Sequence, residues 1–296
     1  MTVSSGSFEL TSGATLSDLN PGDFDEFDIR PVTGLPSDPS PHSATITVSN
    51  GNGVTASFVA HFTVNPIIIG NAVIEVTAPL ADVIPDSTVN GVGPFSGVVS
   101  WGSIPSFASG ITPFTATVTL TASNSDHTFT GGLGGTVTIN GTPIPASNIS
   151  IAADGATATL TRALHLPLRE QLAWLRTSAV SGVSYTLVAS DDDSLSPAQA
   201  SLPSVNNVSV TIRGDVQERI IRLSAVGNLF DVRSGVTLTL GENITLMGRG
   251  PNAIPATANN NNALVRVSNG GTLIMQNGSR ITGNTNTSAT TQGGGG

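Results

Sequence analysis

Phe230 to Arg249 (FDVRSGVTLTLGENITLMGR) lies over Val265 to Asn284 (VRVSNGGTLIMQNGSRITGN) at a constant offset of 35 residues, without a gap. Apolar positions meet apolar ones: Phe230 on Val265, Val232 on Val267, Leu238 on Leu273, Leu240 on Met275, Leu246 on Ile281. Gly235 falls on Gly270 and Gly248 on Gly283, so the corners recur as well. A fixed period with matched corners marks stacked repeats, each unable to bury its apolar face alone. Each repeat holds three short apolar pairs, separated in the first by turns at Ser234-Gly235 and Glu242-Asn243. The offset contains a 13-residue insert, Gly250 to Asn262, rich in Asn, Ala and Pro; 22 residues remain without it. That length suits three short strands and their corners, and lengthening a surface loop costs little entropy. The pattern predicts a right-handed parallel β-helix.

Upstream of the repeat, Val208, Val210 and Ile212 followed by Ile221 and Leu223 supply an earlier coil. Before it, Leu168, Leu172, Leu175 and Ala179 recur at helical spacing, with Arg169, Glu170 and Arg176 elsewhere on the surface. Pro167 suits the first turn of that helix and Gly182 its exit. A helix in this place is expected to plug the open end of the stack, which would otherwise expose apolar side chains and strand edges. Residues 165–296 thus read as a capping helix and the first coils of a β-helix.

Residues 1–66 read as antiparallel β. Ala44, Ile46 and Val48 alternate with Thr45, Thr47 and Ser49; after Asn50 to Gly53 the alternation resumes at Ala56, Phe58, Ala60, Phe62 and Val64. Two period-two runs about an Asn/Gly turn predict a hairpin with the apolar series facing a core. Phe27 and Ile29 give a further strand, and so few strands make an incomplete sandwich. Residues 67–164 show Phe114, Ala116, Val118, Leu120 and Ala122 alternating with threonines, and turns at Asn140-Gly141 and Asp154-Gly155. Short, evenly spaced strands of this kind predict a second sandwich. The fold class is therefore all-β.

Composition agrees and excludes several functions. Charged residues make up 10% of the chain and aromatic ones 4%, a profile of Gly/Asn turns and Thr/Val strands. All 11 basic residues are arginine, and the net charge of -9 argues against a nucleic-acid partner. Cysteine is absent, so neither disulfides nor thiolate metal sites arise. No stretch approaches the ~20 apolar residues of a membrane span. Both ends, Met1 running straight into β-like sequence and the terminal Gly293 to Gly296, read as cuts through a longer protein.

Residues 165–296, through LREQLAWLRTSA, LFDVRSGVTLTLGENITLMGR and VRVSNGGTLIMQNGSRITGNTNT followed by GGGG, resemble the entry to the β-helix of large repetitive bacterial surface proteins. These are akin in style to polymorphic outer-membrane proteins and adhesin passenger domains. Residues 7–65 (SFELTSG, FDIRPVTGL, HSATITVSNGNGVTASFVAHFTVN) resemble the Ig-like repeats found beside them, and residues 67–160 a second Ig-like type. The resemblance implies two Ig-like modules, the first truncated, in an exported cell-surface protein. It further implies an adhesive, non-enzymatic role and partners among host or matrix glycans and proteins; no catalytic residue comes with it.

Parallel β-helices also carry polysaccharide lyases and hydrolases, which need paired carboxylates, or an Arg base beside a carboxylate-held cation, on one outward face. Asp231 and Arg233 point outward around Val232, and Arg266 sits one coil above Asp231. Adjacent coils lie about 4.8 Å apart, so Asp231 and Arg266 are expected to pair. The plainer reading is an exposed ion pair, since no second carboxylate shares that face. A carbohydrate-active protein with its catalytic coils beyond residue 296 remains the alternative. Trp101 could stack on a sugar, which would make the second module a carbohydrate-binding one; a core place is the simpler expectation for it and for Trp174. Asp191-Asp192-Asp193 lacks any calcium-loop spacing and reads as a solvated loop. His42, His61, His127 and His165 show no metal spacing, no G-x-S-x-G elbow occurs, and Gly131 to Gly135 lacks the Lys and helix of a phosphate cradle. No cofactor is expected.

Overall fold

A computed structural model describes residues 1–13, 24, 26–49, 53–102, 110–250 and 260–284. The chain is all-β, with one α-helix among the described residues. The first strands are β1 (Thr2–Val3), β2 (Phe8–Ser12), β3 (Asp28–Pro31), β4 (His42–Ser49) and β5 (Thr55–Phe62). β4 and β5 pair antiparallel from His42↔Phe62 to Ser49↔Thr55, as the alternation predicts, and β1 flanks β4. The turn at residues 50–52 lies outside the described residues.

The core of this part is small: Phe8, Ala44 and Ile46, with Phe27, Ile29 and Ala60 partly buried around them. The expectation that the whole β5 series faces a core is not met. Phe58 and Phe62 share the face of Ala44 and Ile46 yet stay 47% and 42% exposed. The opposing layer is the short β2–β3 pair, too narrow to reach across the outermost strand.

Residues 67–164 form β6 (Ile67–Ile68), β7 (Ala72–Val76), β8 (Val89–Gly91), β9 (Phe95–Ser100), β10 (Phe114–Ala122), β11 (His127–Thr128), β12 (Val137–Ile139), β13 (Thr142–Pro143), β14 (Ile149–Ile151) and β15 (Thr157–Leu164). One sheet runs β14-β15-β10-β9 and a second β13-β12-β7-β8. Their inward residues, among them Ile74, Val118, Leu120, Ile139 and Leu160, close on Phe129 in one cluster. The second sheet is mixed, because β7 and β12 run parallel, which alternation alone does not disclose. Asn140 and Gly141 make the tight turn from β12 to β13 with φ of 49° and 70°. Both central positions of such a turn need positive φ, which Asn and Gly tolerate best.

The remaining elements are α1 (Leu168–Ser178), β16 (Ser184–Ala189), β17 (Asp193–Leu195), β18 (Val208–Gly214), β19 (Arg219–Leu223), β20 (Phe230–Val232), β21 (Val236–Leu240), β22 (Ile244–Met247), β23 (Val265–Val267), β24 (Thr272–Met275) and β25 (Ser279–Thr282). They form three parallel stacks: β16-β18-β21-β24, β17-β19-β22-β25 and β20-β23. Leu238 lies directly opposite Leu273, and the column continues down through Val210 to Tyr185. Leu187, Ile212, Leu240 and Met275 make a second column, and Ile221, Leu246 and Ile281 a third. Apolar side chains pile up because a parallel register repeats the same parity in each strand, putting like faces on one side.

Two details differ from the pattern. The register steps are 25 residues from Ser184 to Ser209 and 28 from Val208 to Val236, so the 22-residue coil describes only the last step, less its insert. There is also one more layer below the expected first coil, built from β16 and β17. Residues 251–259 of the insert lie outside the described residues. Its exit is fixed by Asn260, fully buried, whose amide donates to the Gly227 carbonyl at 2.8 Å and accepts from the Gly227 N–H at 3.0 Å.

α1 lays Leu168, Leu172 and Leu175 on the end of the stack, in one cluster with Tyr185, Leu187 and Val210. Gln171 seals the contact: its amide donates to the carbonyls of Leu166 and Val188, at 2.7 and 2.8 Å, and accepts from the Val188 N–H at 3.1 Å. The helix ends at Ala179, three residues before the Gly182 expected to terminate it. No helix among the described residues is long and apolar enough to cross a membrane.

Candidate functional site

Outward from the third stack, Asp231 on β20 meets Arg266 on β23 in the rung that the 35-residue offset predicts. Arg266 grips the carboxylate with two bonds, Nε to Oδ1 at 3.0 Å and Nη2 to Oδ2 at 2.5 Å. Arg233, at the end of the same strand, stands 3.7 Å from Asp231 Oδ2 and 3.5 Å from the Ser204 hydroxyl. Hydrogen bonding from Arg266 holds the Asp231 carboxyl below the usual carboxylate range. Such a carboxylate is ionised and held by a bidentate guanidinium, so it is poorly suited to act as a general acid. Beside it lies a shallow groove of about 360 Å³, lined by Asp231, Arg233, Asn228, Pro197 and Leu202 among others. The side chains of Arg233 and Arg266 are 60% and 59% exposed, and Arg233 lines the groove.

Trp101 has no such freedom. Its ring is buried edge-on to Phe114, centroids 5.7 Å apart, and its Nε1 donates to the Asp86 carbonyl at 2.7 Å. No face is open for a sugar, so the structure gives it the core place. Trp174 is half-buried on α1, edge-on to Tyr185 at 6.0 Å.

The second Asp/Arg cluster is one that pattern alone does not single out. Arg162 of β15 donates to the Ile139 carbonyl at 2.6 Å, the Ser190 carbonyl at 2.9 Å and Asp215 Oδ2 at 2.6 Å. Arg219 of β19 holds the same carboxylate at 2.9 and 3.0 Å and reaches the Thr142 hydroxyl of β13 at 2.6 Å. Side-chain exposure is 5% for each arginine and 13% for Asp215. The node therefore ties the paired sheets of residues 67–164 to the parallel stacks through buried, fully bonded charge. Its signal lay in parity: Arg162 follows Ala158 and Leu160 on the inward face of β15, and Arg219 precedes Ile221 and Leu223 on that of β19.

Burial works to raise the Asp215 pKa, but hydrogen bonds from Arg219 and Arg162 outweigh it and hold the group low. Asp191, next to the node, is pushed up by burial despite those same arginines. Its carboxylate takes a bond from the Asn140 amide at 3.3 Å. Of the acidic triplet Asp192 is exposed, as a solvated loop requires, whereas Asp191 and Asp193 are half-buried. The triplet turns the corner between β16 and β17, where Asp192 accepts from the Ile220 N–H at 2.9 Å and Asp193 pairs with Arg169 at 3.2 Å. Among the described residues no group of three or more His, Asp or Glu is placed to hold a metal ion.

No family model matches the chain, and neither a curated protein nor a solved structure is similar to it.

Proposed function

We propose that the chain is a non-enzymatic, adhesive piece of an exported bacterial surface protein. Two Ig-like modules, the first incomplete, serve as a stalk, and a helix-capped, right-handed parallel β-helix is presented at its end. The observation that carries this reading is the in-register parallel stacking of β18, β21 and β24 over a column of aliphatic side chains. Coils of this kind extend by simple repetition and offer a long, ladder-like outer face. The buried node at Arg162, Asp215 and Arg219 supports a stalk that transmits reach, because it fixes the angle between module and β-helix.

Charge supports the same polarity. Residues 1–164 carry two arginines against twelve carboxylates, whereas residues 165–296 carry nine against eight. An acidic stalk is repelled by acidic glycan coats, and a near-neutral tip with exposed arginines is not. On this reading Arg233 and Arg266, beside the groove at Asp231, meet host or matrix glycans or proteins at the cell surface.

The test is binding of the purified chain to immobilised matrix proteins and glycans, alongside incubation with soluble polysaccharides. Saturable binding weakened by Arg233→Ala with Arg266→Ala, and no new chain ends, is the expected result. Release of unsaturated or reducing ends would replace this reading with the carbohydrate-active alternative.

A further inference from the structure

β5 is the outermost strand of its sheet, paired only with β4 among the described residues. Natural edge strands are guarded by Lys, Pro, a bulge or an inward charge, which stop another strand from adding on. Thr55–Phe62, TASFVAHF, contains none of these, and its pairing with β4 runs without a register shift. It is also apolar on both faces: Phe58 and Phe62 on one, and Val59, 53% exposed, on the other.

We propose that β5 pairs antiparallel with β5 of a second copy of this chain, about a two-fold axis through Val59. The sequence is self-complementary in that register. Phe58 falls opposite Ala60 of the partner copy and Ala56 opposite Phe62, so each large side chain meets a small one. Ser57 falls opposite His61, a hydroxyl facing an imidazole, and Thr55 opposite Thr63. Cross-strand pairs of matched size stabilise such a ladder. Although residues 1–66 carry one arginine and seven carboxylates, the strand itself is uncharged, so the two copies meet without repulsion along the seam. The result is a continuous sheet of β1-β4-β5 and its symmetry mate, with two Phe58 and two Phe62 in one row beside the Phe27 rings, which lie 5.9 Å from Phe58.

The area sets the strength. A fully buried aromatic covers ~150–250 Å², so half-exposed Phe58 and Phe62 contribute about 100 Å² each. Doubled, and with Val59 and the backbone edge added, the total stays under the ~1,200 Å² of a stable complex, which makes the dimer reversible.

Sedimentation of the full chain over a concentration series tests this. The mass is expected to rise from 29.9 kDa toward twice that value with concentration. Val59→Lys, which sets two ammonium groups on the axis, is expected to leave only monomer. The chain has no cysteine, so Val59→Cys gives a register-specific readout. Only residue 59 faces itself, with Cα atoms ~4.5–5.5 Å apart, inside the range that a disulfide spans. Val59→Cys should therefore cross-link on oxidation, and Thr55→Cys should not. A chain that stays monomeric, a dimer indifferent to Val59→Lys, or equal cross-linking at both positions would overturn the proposal.

Discussion

Replacing Asp215 by Asn removes one charge and leaves the side chain nearly the same size. In the native node the carboxylate takes one bond from Arg162 and two from Arg219, and both guanidiniums are almost wholly out of water. The variant leaves two buried cations with Asp191 as the remaining carboxylate close by. Removing one partner of a buried ion pair costs about 3–5 kcal/mol, because the other charge stays buried and uncompensated. At ~2–4 °C per kcal/mol for a domain of this size, the melting temperature should fall by on the order of 10 °C. The assay is urea and thermal unfolding followed by the two tryptophans, which report on different bodies: Trp101 on the paired sheets and Trp174 on the capping helix. In the native chain the two should report one coincident transition. In Asp215→Asn, read through Trp101→Phe and Trp174→Phe backgrounds, they should separate. A loss below about 1 kcal/mol, the scale of an exposed pair, would mean that Asp215 does not hold the two arginines as a buried node.

The two junction carboxylates should respond to pH with opposite sign. Asp215 has a depressed folded pKa, so its contribution is present above the unfolded value of about 3.9 and is lost as pH falls through the folded one. Asp191 has a raised folded pKa, so its contribution is present below about 3.9 and lost as pH rises through the folded one. Asp191→Asn should therefore raise the melting temperature at pH 7 and leave it unchanged near pH 3. Arg233→Ala should change stability little while weakening the binding of any anionic ligand in the groove, checked by paired melting and binding curves. Trp101→Ala should destabilise by about 3–5 kcal/mol in denaturant titration, as for other buried aromatics. Leu238→Ala, at a fully buried position, should cost about 2–5 kcal/mol, and Leu273→Ala, only partly buried, clearly less in the same experiment.

Much of the stack is legible in the sequence because strands stacked in parallel repeat both their parity and their turns. Leu238 over Leu273 and Asp231 over Arg266 follow from one offset. The layer of β16 and β17 is not, because Asp193 stands where the later strands carry Ile221 and Leu246, and its third side carries no strand. Local pattern finds β4 and β5 but not how deep they lie, since the exposure of Phe58 depends on what the opposite layer covers. The parallel pairing of β7 with β12 joins residues more than sixty apart, and nothing local encodes it. Of the site, the exposed rung could be read from outward parity. The buried node required noticing an arginine where parity demands an aliphatic, and pairing it with Asp215, 53 residues away.

A nuclear Overhauser measurement on a sample with labelled Leu, Val and Ile methyls tests the parallel stacking of these strands most directly. Strong contacts are expected from Val210 to Leu238 and from Leu238 to Leu273, together with Val232 to Val267, all in one parallel register. Contacts that instead place Leu238 against a strand running the opposite way, with none to Leu273, would contradict it.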